Sequence, residues 1–178
     1  VNSLSSASNI KNLKNKAPKI VFKNVSFFYN KKANVLDNIN FFVDAGSKVA
    51  LVGQSGAGKS SIINLISRFY DPVSGEIFIN KQNIKDVNIN SLRNNIALVS
   101  QDAIIYNKSF KENIKFGNLK ATDKKIKEAA KNAGIHNFIS NSLNGYETIV
   151  GEGGNNLSGG QKQRISIARA ILKDAPIL

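Results

Sequence analysis

The hydrophobic pattern of the first half of the chain is one of short strand-like runs. Apolar residues cluster at positions 20–22, 25–29 and 39–43, with polar residues between them, which is typical of half-buried strands. A turn at 44–46 then leads into an uninterrupted apolar run at 49–52. Such a run predicts a strand covered on both faces, as in a parallel sheet. The pattern therefore predicts a small antiparallel set followed by a buried parallel strand.

The pattern then changes to helical spacing. Residues 59–69 carry apolar side chains at helical intervals, which predicts an amphipathic helix. The residues on that face are Ile62, Leu65, Ile66 and Phe69. A turn at 71–75 precedes a further strand at 76–79, and the run at 96–99 predicts a second parallel strand.

The last third of the chain is predicted to be helical. Thr122 can cap a helix that runs through Lys131 and stops at Gly134. The buried face of that helix would carry Ile126, Ala129, Ala130 and Ala133. Another helix is expected from Ser158 to about Lys173. Parallel strands that alternate with helices predict an α/β fold with an antiparallel β subdomain and an α-helical subdomain.

Composition narrows the class of protein. The 178 residues, 42% of them hydrophobic, suffice for one domain with a core. Residues 1–17 are rich in Ser, Asn and Lys and predict a basic flexible linker. The chain has no cysteine, and therefore no disulfide or thiolate site. It has no apolar run of the ~18 residues that a spanning helix needs, and the N-terminal residues do not resemble a secretory signal.

The formal charge of +13 comes from 21 Lys and 4 Arg against 12 acidic residues. Nucleic acid is one possible partner. However, proteins that bind bases and phosphates favour arginine, because its guanidinium group forms two parallel hydrogen bonds. Arginine is scarce in this chain. An anionic lipid surface is at least as plausible, and a bias toward Lys and Asn accounts for the charge equally well. We expect no nucleic-acid partner.

The strongest candidate for chemistry is the glycine-rich segment after the first predicted parallel strand. It fits the P-loop pattern G-x-x-x-x-G-K-[ST] and lies between a strand and a helix, as that motif requires. Its expected phosphate-binding residues are Gly53, Gln54, Ser55, Gly56, Ala57, Gly58, Lys59, Ser60 and Ser61. Lys59 would reach the β- and γ-phosphates of a nucleotide and Ser60 would bind Mg²⁺, while the helix start would favour the negative charge.

A second candidate is Leu-Ser-Gly-Gly-Gln at 157–161. Ser158 and Gln161 have the spacing of a capping box, which alone would explain both residues. Capping does not explain Gly159 and Gly160, because glycine at the start of a helix costs up to about 1 kcal/mol relative to alanine. We therefore favour a site at which an anion approaches the backbone.

With these motifs the sequence resembles the nucleotide-binding domain of an ABC transporter, of the exporter type that joins membrane and ATPase domains in one polypeptide. The resemblance covers residues 18–178. It is carried by the segments 25–29, 53–60, 91–93, 99–101, 112–114, 148–152 and 157–164. It implies a P-loop NTPase core of the RecA-like type, with a helical subdomain at about 102–160.

The resemblance also implies roles for individual residues. Tyr29 resembles the aromatic residue that stacks on adenine. Without the resemblance, its position would indicate only an exposed aromatic residue on a strand. Gln101 resembles the glutamine that helps to bind Mg²⁺ and senses the γ-phosphate, which makes it, with Lys59, a candidate catalytic residue. In the family, Ser158, Gly159, Gly160 and Gln161 contact ATP held by a partner domain, so that two domains form a head-to-tail dimer.

Further implications concern partners and location. Glu152 and its loop would face a transmembrane permease domain, at the cytoplasmic side of the plasma membrane, with ATP and Mg²⁺ as cofactors. Two small departures from the family are Ser61, where threonine is usual, and Lys81, where glycine is frequent in a hairpin. His136 precedes the 157–161 motif and is interpreted as a helix-end or loop histidine.

The largest departure is at the C-terminus. Residues 175–178 resemble the start of the Walker B strand, and the chain stops before its aspartate and before the catalytic glutamate that would act as general base. We expect an incomplete domain with little ATP hydrolysis of its own. The leading hypothesis is the ATPase module of an exporter. The alternatives are a catalytically silent nucleotide-binding or interaction fragment, and an ABC-type ATPase that acts on nucleic acid. In exporters of this family the membrane segments, rather than the ATPase domain, determine which substrate is transported.

Overall fold

The computed structural model describes residues 18–30 and 35–178, and the predicted linker at residues 1–17 lies outside that part of the chain. The chain divides into two units. One extends to Ile96 and also includes Ile177, and the other comprises residues 97–176 with Leu178. Each unit has its own hydrophobic core.

The first unit contains an antiparallel sheet. Its strands are β1 (Ile20–Phe27), β2 (Leu36–Val43), β3 (Ser74–Ile79) and β4 (Gln82–Asn83), in the order β2-β1-β3-β4. The antiparallel set predicted from the sequence is thus confirmed, with different boundaries. The runs at 20–22 and 25–29 form one strand, because the break between them is an irregularity at Asn24, where φ is 51°.

The two predicted parallel strands are not formed as regular strands. Residues 49–52 pair with no strand among the described residues, and Val52 is 90% exposed. In the 96–99 run only Ile96 pairs, in a single parallel bridge to Ile177. An apolar run of this kind is a stable strand only with paired neighbours and covered faces, and the run itself does not show whether they are present.

Helix α1 (Lys59–Ile66) ends earlier than its apolar pattern predicts. Leu65 is fully buried in the core of the first unit, as predicted. The chain leaves the helix at Arg68, where φ is 49° and the buried guanidinium donates to the carbonyls of Ile84 and Val87. Phe69 therefore does not continue the buried face: it is 48% exposed.

Five other α-helices are described: α2 (Ile89–Asn94) in the first unit, and α3 (Phe110–Lys115), α4 (Asp123–Asn132), α5 (His136–Ser140) and α6 (Gly159–Lys173) in the second. The Thr122 hydroxyl caps α4 by accepting from the Lys125 amide, as predicted. The predicted apolar face of α4 is buried in the core of the second unit. His136 begins α5, which confirms its interpretation as a helix-end residue.

The hairpin between β3 and β4 explains why glycine would suit position 81. Its two loop residues, Asn80 and Lys81, both have positive φ, 50° and 63°. Left-handed φ at two loop residues is typical of the type I′ turn, in which Asn-Gly is the favoured pair. A lysine tolerates that conformation only at a cost.

We expect Lys81→Gly to raise the free energy of unfolding by about 0.5–1 kcal/mol, because relief of the strained lysine outweighs the added freedom of the unfolded chain. Urea denaturation followed by circular dichroism would measure the change. Lys85→Gly is the matched control and should destabilise, since φ is not positive at Lys85. Equal effects of the two substitutions would refute the strain argument.

Candidate nucleotide-binding site

The loop at 53–58 leads directly into α1. Gly58 precedes the helix with a φ of 83°. A Cβ atom there would lie 2.6 Å from Leu36 Cδ2 and 2.9 Å from the carbonyl oxygen of Val35. Both the left-handed conformation and the close approach of β2 therefore require glycine at the end of the loop.

Lys59 lies over this loop. Its ammonium group donates to the carbonyl oxygens of Gly53, at 2.8 Å, and Gln54, at 2.6 Å. Among the described residues no side chain caps the start of α1 or of α5, and neither first turn has an acidic residue, whereas α2, α3, α4 and α6 begin with side-chain caps. An uncapped helix start beside a lysine ammonium offers backbone N–H donors and a positive electrostatic potential, both of which suit a phosphate group.

Tyr29 lies immediately beyond β1 and against α1. Its hydroxyl is 3.1 Å from Ser61 Oγ and accepts a hydrogen bond of 3.1 Å from Asn64 Nδ2. The ring packs edge-on against Phe27 and Tyr70 and remains 50% exposed. Tyr29 is thus anchored to the helix that follows the glycine-rich loop, and the Ser61 hydroxyl is engaged by Tyr29.

Gln101 lies in the second unit, in an exposed bend that follows residues 96–99. In the same bend the Ser100 hydroxyl donates to the carbonyl of Asp102. The chain downstream of the bend turns inward at Ile105, which is buried in the core of the second unit. The side chain of Gln101 is thus exposed, while the segment that follows it is held in place by the buried side chain of Ile105.

Asn113 and Arg169 hold that downstream segment, and neither was given a role from the sequence. The Asn113 amide is fully buried; it donates to the carbonyls of Tyr106, Lys108 and Ser109 and accepts from the Tyr106 amide. Arg169, on α6, donates to Asn113 Oδ1 and to the carbonyls of Asn113 and Ile104. Burial lowers the pKa of Arg169 from its ordinary value. The hydrogen bonds of the Arg169 guanidinium group therefore link α6 to the segment after Gln101.

The start of α6 is a capping box. Ser158 Oγ accepts from the Gln161 amide at 3.3 Å, and Gln161 Oε1 accepts from the Ser158 amide at 2.8 Å. Gly159 and Gly160 are exposed, and a Cβ atom on Gly159 would meet no described atom within 4 Å. The packing of this chain therefore does not require glycine at these two positions.

We expect Gly159→Ala and Gly160→Ala each to raise the free energy of unfolding by about 0.5–1 kcal/mol, because alanine is the better helix former and has room. Chemical denaturation of the single variants measures this. Gly117→Ala is the contrasting control, since a Cβ there would lie 2.1 Å from the Arg169 carbonyl oxygen. Destabilisation by both Gly159→Ala and Gly160→Ala would mean that the chain itself needs these glycines.

The loop that contains Glu152 is fastened to the start of α3. The amide of Phe110 donates to the Thr148 carbonyl, and the amide of Val150 donates to the Lys108 carbonyl, each at 3.1 Å. Gly154, in the 3-10 turn Glu152–Gly154, lies against Ile105, so that a Cβ atom there would be 3.0 Å from Ile105 Cγ2. The Glu152 loop and the segment after Gln101 are therefore neighbours.

A known protein family matches the part of the chain that contains these residues. The family model described as ABC transporter matches residues 36–178, which include the glycine-rich loop, Gln101 and the 157–161 motif. The chain belongs to the ABC transporter family. The predicted P-loop NTPase fold class of this ABC transporter chain is confirmed.

Relatives of this ABC transporter chain include exporters. ABC transporter B family member 2 of Dictyostelium discoideum is 51% identical over 161 residues, which are 89% of the chain and 12% of the relative. A protein of Staphylococcus aureus strain NCTC 8325 that carries the name multidrug export ATP-binding/permease protein is 53% identical over 164 residues, covering 92% of the chain and 28% of the relative. The chain thus spans about a quarter of these relatives' length or less.

A solved structure of a bacterial Atm1-family ABC exporter with ATP bound is also similar to this ABC transporter chain. It superimposes with a TM-score of 0.93 at 42% identity, over 97% of the chain and 30% of that structure. In the part of the chain that the structure describes, no helix is long and apolar enough to cross a membrane. The same described residues contain no cluster of His, Cys, Asp and Glu side chains suited to a metal ion.

Proposed function

We propose that the chain is the ATP-binding part of an ABC exporter, in which binding and hydrolysis of Mg-ATP drive export across a membrane. The observation that carries the proposal is the arrangement at the start of α1. Lys59 extends over the carbonyls of Gly53 and Gln54 beside a helix start that no described side chain caps. This arrangement suits a triphosphate, because an ammonium and unpaired amides together favour a multiply charged anion.

In this proposal each residue has a separate task. Lys59 withdraws from the loop carbonyls to contact the β- and γ-phosphates, and the amides of residues 53–60 surround the phosphate chain. Ser60, exposed in the first turn of α1, would ligate Mg²⁺. A role for Gln101 in binding Mg²⁺ is what the resemblance to the family implies. Tyr29 offers its exposed ring face to the adenine. Mg²⁺ supplies neutralisation of phosphate charge when it is bound with ATP.

The start of α6 serves a second nucleotide. Ser158, Gly159, Gly160 and Gln161 contact ATP held by another nucleotide-binding domain, in a head-to-tail dimer. The exposure of the two glycines and the space around Gly159 support this role, since a phosphate can reach the backbone there. Glycine at these positions lowers the stability of the helix, and such a cost is expected where a partner must approach the backbone closely.

The second unit contacts a transmembrane permease domain at the cytoplasmic face of the membrane. Its exposed apolar residues support this part of the proposal: Ile104 is 67% exposed, Tyr106 45% and Phe116 44%. Tyr106 and Phe116 have ring centroids 4.6 Å apart, and Arg169 lies beside both rings. An exposed apolar patch of this kind, held in place by hydrogen bonds from Arg169 and Asn113, is suited to contact with another protein.

Calorimetric titration with Mg-ATP tests the proposal. We expect the 178-residue chain to bind with a stoichiometry of one, and Lys59→Ala to weaken binding by roughly 10- to 100-fold, which corresponds to a lost hydrogen bond between charged groups. The matched control is Lys48→Ala, which removes the same charge from an exposed position elsewhere in the first unit. Its affinity should be unchanged.

Two results would contradict the proposal. Equal binding by wild type and Lys59→Ala would place the nucleotide elsewhere on the chain. Equal weakening by Lys59→Ala and Lys48→Ala would show that net charge, rather than a P-loop, attracts the nucleotide. Circular dichroism spectra of both variants establish that loss of binding is not loss of the fold.

A further inference from the structure

The outer face of the antiparallel sheet carries an apolar row where polar residues are expected. Val21 pairs with Phe42 on β2 and with Phe78 on β3, so these three side chains form one line across three strands. Phe42 is 61% exposed. The opposite face of the same sheet packs on the core through Phe22, Ile77 and their neighbours. A sheet that is covered on one face usually exposes polar side chains on the other, so this row is available for a ligand.

Lysines border the apolar row on both sides. The Lys19 ammonium is 4.3 Å from the centroid of Phe42, and the Lys23 ammonium is 4.9 Å from that of Phe78. Lys19 also pairs with Asp44 at 2.7 Å. Lys23 and Lys81 are in no ion pair with any described residue. Neither ammonium group is thus held in an ion pair at the edge of this apolar surface, although Glu76 lies opposite Lys23 on β3.

The groove formed here is held by the backbone. It has a volume of about 440 Å³ and is lined by Lys19, Val21, Lys23, Phe78, Asn80 and Lys81. Its end is fixed because the Lys19 amide donates to Asn80 Oδ1 at 3.0 Å and the Asn80 amide donates to the Lys19 carbonyl at 2.9 Å. Its size lies within the range of small-molecule sites, about 300–1,000 Å³, which combine an apolar lining with a few convergent polar groups.

We propose that this groove binds a small soluble organic anion with a flat apolar body, of the class of aryl phosphates and aryl carboxylates. The ring of the ligand lies on Val21 and Phe78, and its anionic group contacts the ammonium groups of Lys23 and Lys81. A simple inorganic anion would make no use of the apolar floor. A neutral aromatic compound would make no use of the two ammonium groups. The site belongs to the first unit and is independent of the proposed ATP site.

The test uses 1-naphthyl phosphate as the probe, titrated into the full chain carrying Lys59→Ala so that the P-loop does not compete. Naphthyl fluorescence should report saturable binding of one probe per chain. Lys23→Gln with Lys81→Gln should weaken binding about tenfold, as expected for two partly exposed charge pairs. Phe78→Leu should weaken it about threefold through loss of ring stacking. The control pair Lys124→Gln with Lys125→Gln removes the same charge from exposed positions on α4 and should leave the affinity unchanged.

Several outcomes would overturn the proposal. Equal weakening by the control pair would show attraction to net charge alone. Displacement of the probe by an equal concentration of inorganic phosphate would show that the apolar floor contributes nothing. Equally tight binding of 1-naphthol would show that the lysines contribute nothing. An absence of saturable binding up to millimolar probe, with the chain folded by circular dichroism, would exclude the site.

Discussion

Asn113→Leu is expected to lower the free energy of unfolding by about 3 kcal/mol. Leucine has a similar volume but can neither donate to the carbonyls of Tyr106, Lys108 and Ser109 nor accept from Arg169 and the Tyr106 amide. All three carbonyls keep a backbone donor, but the Tyr106 amide and one Arg169 guanidinium N–H lose Asn113 Oδ1 as their acceptor. Each such group costs about 1–3 kcal/mol when it is left unsatisfied away from water.

Denaturant unfolding monitored by circular dichroism measures this change, with Asn132→Leu as control. Asn132 is the exposed last residue of α4, so the same substitution there should change stability by less than about 0.5 kcal/mol. A change of less than 1 kcal/mol at Asn113 would mean that water readily replaces the network. The segment after Gln101 would then be held by the burial of Ile105 alone.

Gly75→Ala is the second substitution with a large expected cost. A Cβ atom at Gly75 would lie 2.3 Å from the carbonyl oxygen of Asn24 and 2.4 Å from that of Lys23, and the backbone there has a φ of 78°. The variant must therefore separate β1 from β3 and also hold alanine in the left-handed region. We expect the free energy of unfolding to fall by about 3 kcal/mol, the sum of steric and conformational terms.

Gly46→Ala separates these two terms. Gly46 has nearly the same φ, 75°, but a Cβ atom there would meet no atom of the described residues within 4 Å. Its cost should be about 1 kcal/mol, the conformational term alone. If Gly46→Ala and Gly75→Ala destabilise the chain equally, the close approach of β1 to β3 contributes nothing.

The elements that could be predicted from the sequence are those whose determinants are local. The helix after Thr122 has its cap, its apolar face and its terminating Gly134 within a dozen residues. The capping box of Ser158 and Gln161 spans four residues, and the structure has both of its hydrogen bonds. Such signals need no knowledge of the rest of the fold.

The predictions that failed depended on partners elsewhere in the chain. The runs at 49–52 and 96–99 have the composition of buried strands, but a strand also needs hydrogen-bonded neighbours, which composition does not specify. Phe69 continues the spacing of α1, yet the positive φ at Arg68 turns it away from the core. The sequence carries no simple signal for that turn.

The same distinction applies to the candidate site. The glycine-rich loop and Lys59 are adjacent in sequence, so their association could be predicted. The bond between Tyr29 and Ser61 spans 32 residues, and the bonds between Arg169 and Asn113 span 56. The sequence carries no clear signal for the second pair, because Asn113 stands among the charged residues Lys111, Glu112 and Lys115 and its burial depends on the tertiary structure.

Backbone amide hydrogen exchange of the 178-residue chain, with and without Mg-ATP, tests the central claim most directly. If the chain binds the nucleotide through its P-loop, exchange of the amides at 53–60 slows on addition of Mg-ATP, and the slowing disappears in Lys59→Ala but persists in Lys48→Ala. Exchange at 53–60 that is unchanged by saturating Mg-ATP, while amides elsewhere are protected, would contradict the account.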